Sequence, residues 1–225
     1  MITDDTDMID LHMHTILSDG ELVPSELVRR VAVMGYEAVC LTDHADSSNL
    51  DLIVPRIVNV AKDLNQYQDV KVIPGVELTH LPPKMISSMV KEARKLGAAL
   101  VLIHGESIAE PVAAGTNMAG LEAGADVIAH PGLITFEEAA LAAQKGIFLE
   151  ISGRAGHSLT NGHVANIADK TGAGLVFGSD AHSPDDLKSY KLAKKIIEGA
   201  GLASDFLEGM LLNSRNLLKK TGFFI

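Results

Sequence analysis

The chemistry in this chain is carried by histidines and carboxylates that follow short apolar runs. His12-Met13-His14 follows the apolar run 8–11, with Asp19 close behind. Asp43-His44 follows 38–41, Glu77 ends the run 70–76, His104 follows 99–103 and His130 follows 127–129. Arg154 and His157 follow 147–151, and Asp180-Ala181-His182 follows 175–177. Only His163 of the nine histidines sits in a clearly helical stretch. Neutral imidazole suits Zn, Mn and Fe, and carboxylates can bridge two hard cations. Side chains alternate along a strand, so His-x-His places both rings on one face, and Asp180-x-His182 repeats the spacing. The ligand candidates are His12, His14, Asp19, His44, Glu77, His104, His130, Asp180 and His182, more than one ion needs. Two or three divalent ions (Zn, Mn or Fe) are therefore expected. Such a cluster would activate a bridging water and clamp phosphoryl oxygens.

Catalytic roles are expected for His44, Asp180, His182 and Arg154. His44 or His182 can pass a proton to a leaving alcohol if not committed to metal. The planar fork of Arg154 suits bidentate phosphate binding, and Asp43 is placed to orient an imidazole. Simpler readings compete at several positions. Asp19 makes a good turn with Ser18 and Gly20. His80, His157 and His163 read as structural, although His80 and His157 can also line a rim. Cys40 lies inside an apolar run and reads as an inert buried thiol. The Lys188, Lys191, Lys194 and Lys195 series reads as a solvated helix face. Whether Glu106 joins the site stays open.

These residues need elements to hold them. Between the apolar runs lie amphipathic stretches: 24–34, opened by Pro24 and stopped by Gly35; about 50–67; one opened by Pro82 and Pro83 and ending near Leu96-Gly97; 113–121; a helix capped at Thr135 and running to Lys145; 161–171; 184–199; and a last one through Lys220. Thr135 with Glu138 has capping-box spacing. Strands alternating with helices imply a parallel sheet, closed into a barrel or open and doubly wound. Ligand candidates at strand ends favour the barrel, whose C-terminal rim gathers them. The expected fold is α/β, a distorted seven-stranded (β/α) TIM-like barrel forming a single domain over residues 1–225, with an acidic mobile tip at 1–7.

The bulk properties fit. The chain has 225 residues, 47% of them hydrophobic, and a formal charge of -10. That acidity disfavours non-specific nucleic-acid binding, and 4% aromatics without Trp offer little to stack on bases. The expected partner is a small phosphorylated substrate, with nucleic acid the weaker alternative. One cysteine allows no intramolecular disulfide. No transmembrane run and no signal-like start are evident, so a cytoplasmic protein without membrane association is expected.

The motifs together resemble the polymerase and histidinol phosphatase (PHP) superfamily. Asp10-Leu11-His12-Met13-His14-Thr15 with Ser18-Asp19-Gly20 looks like its first motif, Leu41-Thr42-Asp43-His44 its second and Pro74-Gly75-Val76-Glu77 its third. His104, His130-Pro131-Gly132 and Gly178-Ser179-Asp180-Ala181-His182 resemble the remainder, in family order. The resemblance implies a distorted seven-stranded barrel with a trinuclear site, ligated by the nine residues above, with Glu77 bridging two ions. It implies phosphoesterase activity, foremost a histidinol-phosphatase-like phosphomonoesterase, alternatively a nuclease or nucleotide phosphodiesterase. A non-phosphate metal hydrolase is the remaining alternative.

Overall fold

The computed structural model describes residues 8–223; the acidic segment 1–7 lies outside the described residues. Seven principal strands form a parallel sheet: β1 (Met8–Met13), β2 (Tyr36–Leu41), β4 (Lys71–Leu78), β5 (Leu100–His104), β6 (Val127–Ala129), β7 (Phe148–Ser152) and β8 (Leu175–Gly178), neighbours in that order. A two-residue strand, β3 (His44–Ala45), pairs with the end of β4. The helices are α1 (Pro24–Val33), α2 (Leu50–Tyr67), α3 (Pro83–Leu96), α4 (Thr116–Ala123), α5 (Phe136–Lys145), α6 (Asn161–Thr171), α7 (Tyr190–Gly199) and α8 (Phe206–Lys220). No helix among the described residues is long and apolar enough to cross a membrane.

Strands covered on both faces read as continuous apolar runs rather than alternating ones. Leu100, Val101, Leu102 and Ile103 are all fully buried. The helices bury one stripe each, as Leu27, Val28 and Val31 do on α1. The capping box of α5 forms as its sequence predicts, Thr135 Oγ1 accepting from the Glu138 amide and Glu138 Oε2 from the Thr135 amide.

The sheet closes almost completely. Met13 and Ala181 form a parallel bridge, the His14 amide donates to the Ala181 carbonyl at 2.9 Å, and the Asp180 amide donates to the His12 carbonyl at 2.9 Å. This decides for the barrel over the open sheet. All strands are parallel, so their C-terminal ends share one rim.

Three of the boundaries that differ from expectation bear on the rim. The stretch 184–199 is not one helix. Pro184–Asp186 forms a single 3-10 turn, closed by a Ser183/Asp186 capping box, and α7 starts only at Tyr190. Asp186 Oδ2 also accepts from the His182 amide at 3.1 Å, which ties this turn to the rim. Helix α4 starts at Thr116 rather than 113, because Gly115 has φ 88°, outside the right-handed helical region. The first strand runs on through Met13. Its register with β2 slips between Asp10 and Met13, where β1 carries one residue more than its partner.

Candidate metal centre

Each strand end delivers its side chain to the middle of the rim. The β3–β4 register sets His44 beside Glu77. Glu77 is fully buried, and both its oxygens are surrounded by imidazoles. Its Oε1 lies 3.3 Å from His104 Nδ1 and 3.4 Å from both His130 Nε2 and His12 Nε2. Its Oε2 lies 2.6 Å from His44 Nδ1 and 3.8 Å from His14 Nε2.

Asp180 forms a second hub across the barrel. Its Oδ1 is 3.3 Å from His14 Nε2 and 3.7 Å from His12 Nε2, and its Oδ2 is 3.8 Å from His130 Nε2. Asp180 sits at φ 53°, so the Asp180-x-His182 spacing works through a left-handed residue and not through strand alternation. Asp19 forms the outer edge, with Oδ1 3.2 Å from His182 Nε2 and 3.6 Å from His44 Nε2. The structure thus brings all nine candidate ligands together, in overlapping groups whose donor atoms lie within 4.8 Å of one another.

The charges are mutually adjusted. Burial alone would raise the Glu77 and Asp180 carboxyls, but the imidazoles around them overcome it and hold both well below the usual range. Burial pushes His14 down to about 3. His104 is pushed up to about 10, Glu77 and Glu110 outweighing its burial. Burial raises Asp10 to about 6, against hydrogen bonds from Ser179 and His12.

Buried polar atoms almost always find partners, and leaving them without one is costly. Here His12 Nε2, both ring nitrogens of His14 and of His104, His130 Nδ1 and Glu77 Oε1 are buried without a hydrogen-bond partner. Nitrogen and oxygen donors left open in one cluster are the donor set divalent ions require, so the residues present fit such ions.

The residues around the cluster sort differently from expectation. Asp43 orients no imidazole. Its Oδ1 accepts from the Thr15 amide (2.8 Å), the Ser18 amide (3.0 Å) and Ser18 Oγ (2.8 Å), so it holds down the loop that carries Asp19. Glu106 stays out of the site, since its Oε1 caps the start of α4 at the Gly115 and Asn117 amides. His163 also lies apart, bonded to the Ile134 carbonyl at 2.8 Å.

Arg154 reaches the site: its Nη1 is 2.7 Å from His182 Nδ1 and 3.1 Å from the Asp180 carbonyl. A guanidinium only donates. In this arrangement His182 Nδ1 accepts, and the proton of the neutral ring rests on Nε2. Ligation through Nε2 requires Arg154 to withdraw and Nδ1–H to turn to the Asp180 carbonyl at 3.0 Å.

His157 joins the site, so the rim reading holds for it over the purely structural one. It is buried, stacks on His130 with ring centroids 4.0 Å apart, and meets Ser107 Oγ at 2.6 Å through Nδ1. Burial and the neighbouring His130 hold it down to about 4. Two carboxylates were missed from sequence. Glu150, inside β7, meets His12 Nδ1 at 2.6 Å. Glu110, in the β5–α4 loop, contacts His80, His104 and His157. Alternation from the strand-end residue Ser152 marks Glu150 as facing the same way as the rim residues. Nothing local marks Glu110.

A family model described as the PHP domain matches residues 10–153. The chain belongs to this family. An uncharacterised protein of Methanocaldococcus jannaschii is 46% identical over 94% of this PHP chain and 98% of its own length. A probable phosphatase of Thermoanaerobacter sp. (strain X514) is 26% identical over 89% of each chain. Among solved structures, a chain of archaeal ribonuclease P with mature tRNA superposes with a TM-score of 0.73 at 16% identity, covering 94% of the PHP chain and 90% of that chain. At that identity the likeness is one of fold.

Proposed function

We propose that this PHP protein is a metal-dependent phosphoesterase, acting on small phosphomonoesters in the manner of a histidinol phosphatase. The observation that carries the reading is the convergence of nine histidine and carboxylate side chains, with open buried donors, around Glu77 and Asp180. The relative named probable phosphatase supports the phosphate class.

The ligands are His12, His14, Asp19, His44, Glu77, His104, His130, Asp180 and His182, for two or three ions of Zn, Mn or Fe. When bound, such ions supply Lewis acidity: they acidify water and neutralise charge on phosphoryl oxygens. Glu77 offers one oxygen to the His104 and His130 side and the other to the His44 side, which suits a bridging carboxylate. Arg154 is half-buried at the rim, where its fork can bind an incoming phosphate. A phosphate that draws the guanidinium away from Nδ1 frees His182 to change role between proton donor and ligand. The Nε2 proton of His182 is available to the leaving alcohol only while Arg154 stays on Nδ1; once a phosphate has drawn Arg154 away, the leaving alcohol would take its proton from His44 or from solvent.

The test is inorganic phosphate release from a panel of phosphomonoesters, histidinol phosphate and mononucleotides included. The metal-stripped protein is reloaded with Mn, Zn or Fe and compared with Asp180→Asn. Metal-dependent release is expected, reduced at least 100-fold in Asp180→Asn with the fold retained, of the order found when a group stabilising transition-state charge is removed. Full activity in the variant overturns the mechanism. Metal binding without release from any monoester moves the assignment to phosphodiesters such as oligonucleotides.

A further inference from the structure

Sharing only His104 with the nine ligand candidates, a second cluster stands at the mouth of the rim. Glu110 Oε2 lies 3.0 Å from His80 Nε2 and 3.1 Å from His104 Nε2, and Glu110 Oε1 lies 3.4 Å from His157 Nε2. His80, His104 and Glu110 offer donor atoms within 4.8 Å of one another. We propose that His80, Glu110, His104 and His157 bind a further divalent cation at the mouth of the centre.

His104 decides the matter. It is 2% exposed, and neither ring nitrogen has a hydrogen-bond partner. Its Nδ1 faces Glu77 in the inner centre. Its Nε2 is within 3.1 Å of a Glu110 oxygen yet makes no hydrogen bond with it. The Nε2 axis therefore passes beside the carboxylate rather than into it, as two ligands do when they flank a shared ion.

The spacing agrees. Donors about 2.0–2.2 Å from a tetrahedral ion stand roughly 3.3–3.5 Å apart. The Glu110 contact to His157 falls in that range; those to His104 and to His80, the latter a hydrogen bond, are shorter, so the Glu110 carboxylate would draw back slightly to admit an ion. Imidazole and carboxylate donors suit Zn, Fe(II) or Mn(II) better than the all-oxygen cages of Ca. His104 would then coordinate through both nitrogens, and its ring proton leaves to solvent.

Access is available from outside, since the side chains of His80 and Glu110 are 41% and 38% exposed. His80 is held at φ 51°, a backbone conformation unusual for a residue other than glycine. With Ser107 anchoring His157 Nδ1, the Nε2 of that ring is turned toward Glu110. The four donors come from the β4–α3, β5–α4 and β7–α6 loops and from the end of β5.

The inference shares His104 with the centre of the proposed function and rests on it to that extent. The full chain is stripped, reloaded with excess Zn or Mn and desalted. Metal per chain is then counted for wild type, Glu110→Gln, His80→Ala and Asp180→Asn, with anomalous diffraction on wild type. Both outer variants are expected to lose one equivalent while the inner ions stay, and an anomalous peak is expected between Glu110 and His104. Equal metal content with no peak there overturns the proposal. Loss of the inner ions in Glu110→Gln also overturns it, making Glu110 a positioning residue for His104. Asp180→Asn serves as the separate control: unchanged metal content in that variant breaks the reading of the inner centre, whatever the outer variants do.

Discussion

The side chains that touch the rim's ligands are as informative as the ligands. Glu150 Oε2 holds His12 Nδ1 at 2.6 Å, and the opposite ring nitrogen, Nε2, is left open toward Glu77 and Asp180. A carboxylate behind a ligating imidazole fixes its tautomer and raises its basicity. The backbone has made room for this contact. A Cβ on Gly178 would stand 2.5 Å from Glu150 Oε2 and 3.0 Å from His12 Cβ, so only glycine lets β8 pass the pair. Glu150→Gln keeps the shape and removes the charge. It is expected to weaken metal binding about 10–100-fold, read by competition with a chelator, with the far-ultraviolet circular dichroism unchanged. Affinity equal to wild type would remove Glu150 from the centre.

The strands and loops were legible in the sequence to the extent that their reasons are local. Apolar runs, several of them bounded by glycine, mark every principal strand, and Thr135 with Glu138 marks the start of α5. The nine candidate ligands were legible because each follows such a run. What escaped notice depends on chain segments far apart. Asp43 sits at a strand end like the others, yet its carboxylate turns away from the imidazoles to the Thr15 and Ser18 amides, a pairing no local pattern encodes. Glu110 lies in a loop with no periodicity, and its three histidine neighbours come from three other segments. The turn at Pro184 was hidden because its residues also suit a helix start, and Asp186 is drawn instead to the His182 amide. The loop after β1 gives this a measurable form. Gly20 approaches the His14 carbonyl so closely that a Cβ would stand 2.5 Å from its oxygen, and Asp43 adds hydrogen bonds to those that the Ser18 and Gly20 amides give the Thr15 carbonyl. Asp43→Ala strands the Thr15 amide and takes away the Ser18 contacts to the carboxylate, leaving the Ser18 amide its bond to the Thr15 carbonyl. It is expected to cost about 3 kcal/mol, measured by urea unfolding, and to weaken binding at the Asp19, His44 and His182 group. Wild-type stability would show that the loop is held by other means.

The molecule closes at the place where its chemistry sits. Between β1 and β8 the chain has one bridge, at Met13 and Ala181, with two short backbone bonds and the Ser179 amide donating to Asp10 beside it. His12, His14, Asp180 and His182 stand on either side of that seam. Ions held among them would tie the first strand of the sheet to the last and give partners to buried ring nitrogens that otherwise lack them. Binding to the folded state alone stabilises it by about 2.7 kcal/mol at a hundredfold excess over Kd. For a chain of this length each kcal/mol moves Tm by roughly 2–4 °C. Chelation is therefore expected to lower Tm by about 5–10 °C, restored on adding Mn or Zn. Hydrogen exchange should locate the change, with the amides of His14 and Asp180 losing protection before those of β4 and β5, whose pairing is continuous. A uniform loss across the barrel would mean that the ions stabilise the whole sheet rather than its seam. An unchanged Tm with ions demonstrably removed would mean that closure does not depend on them.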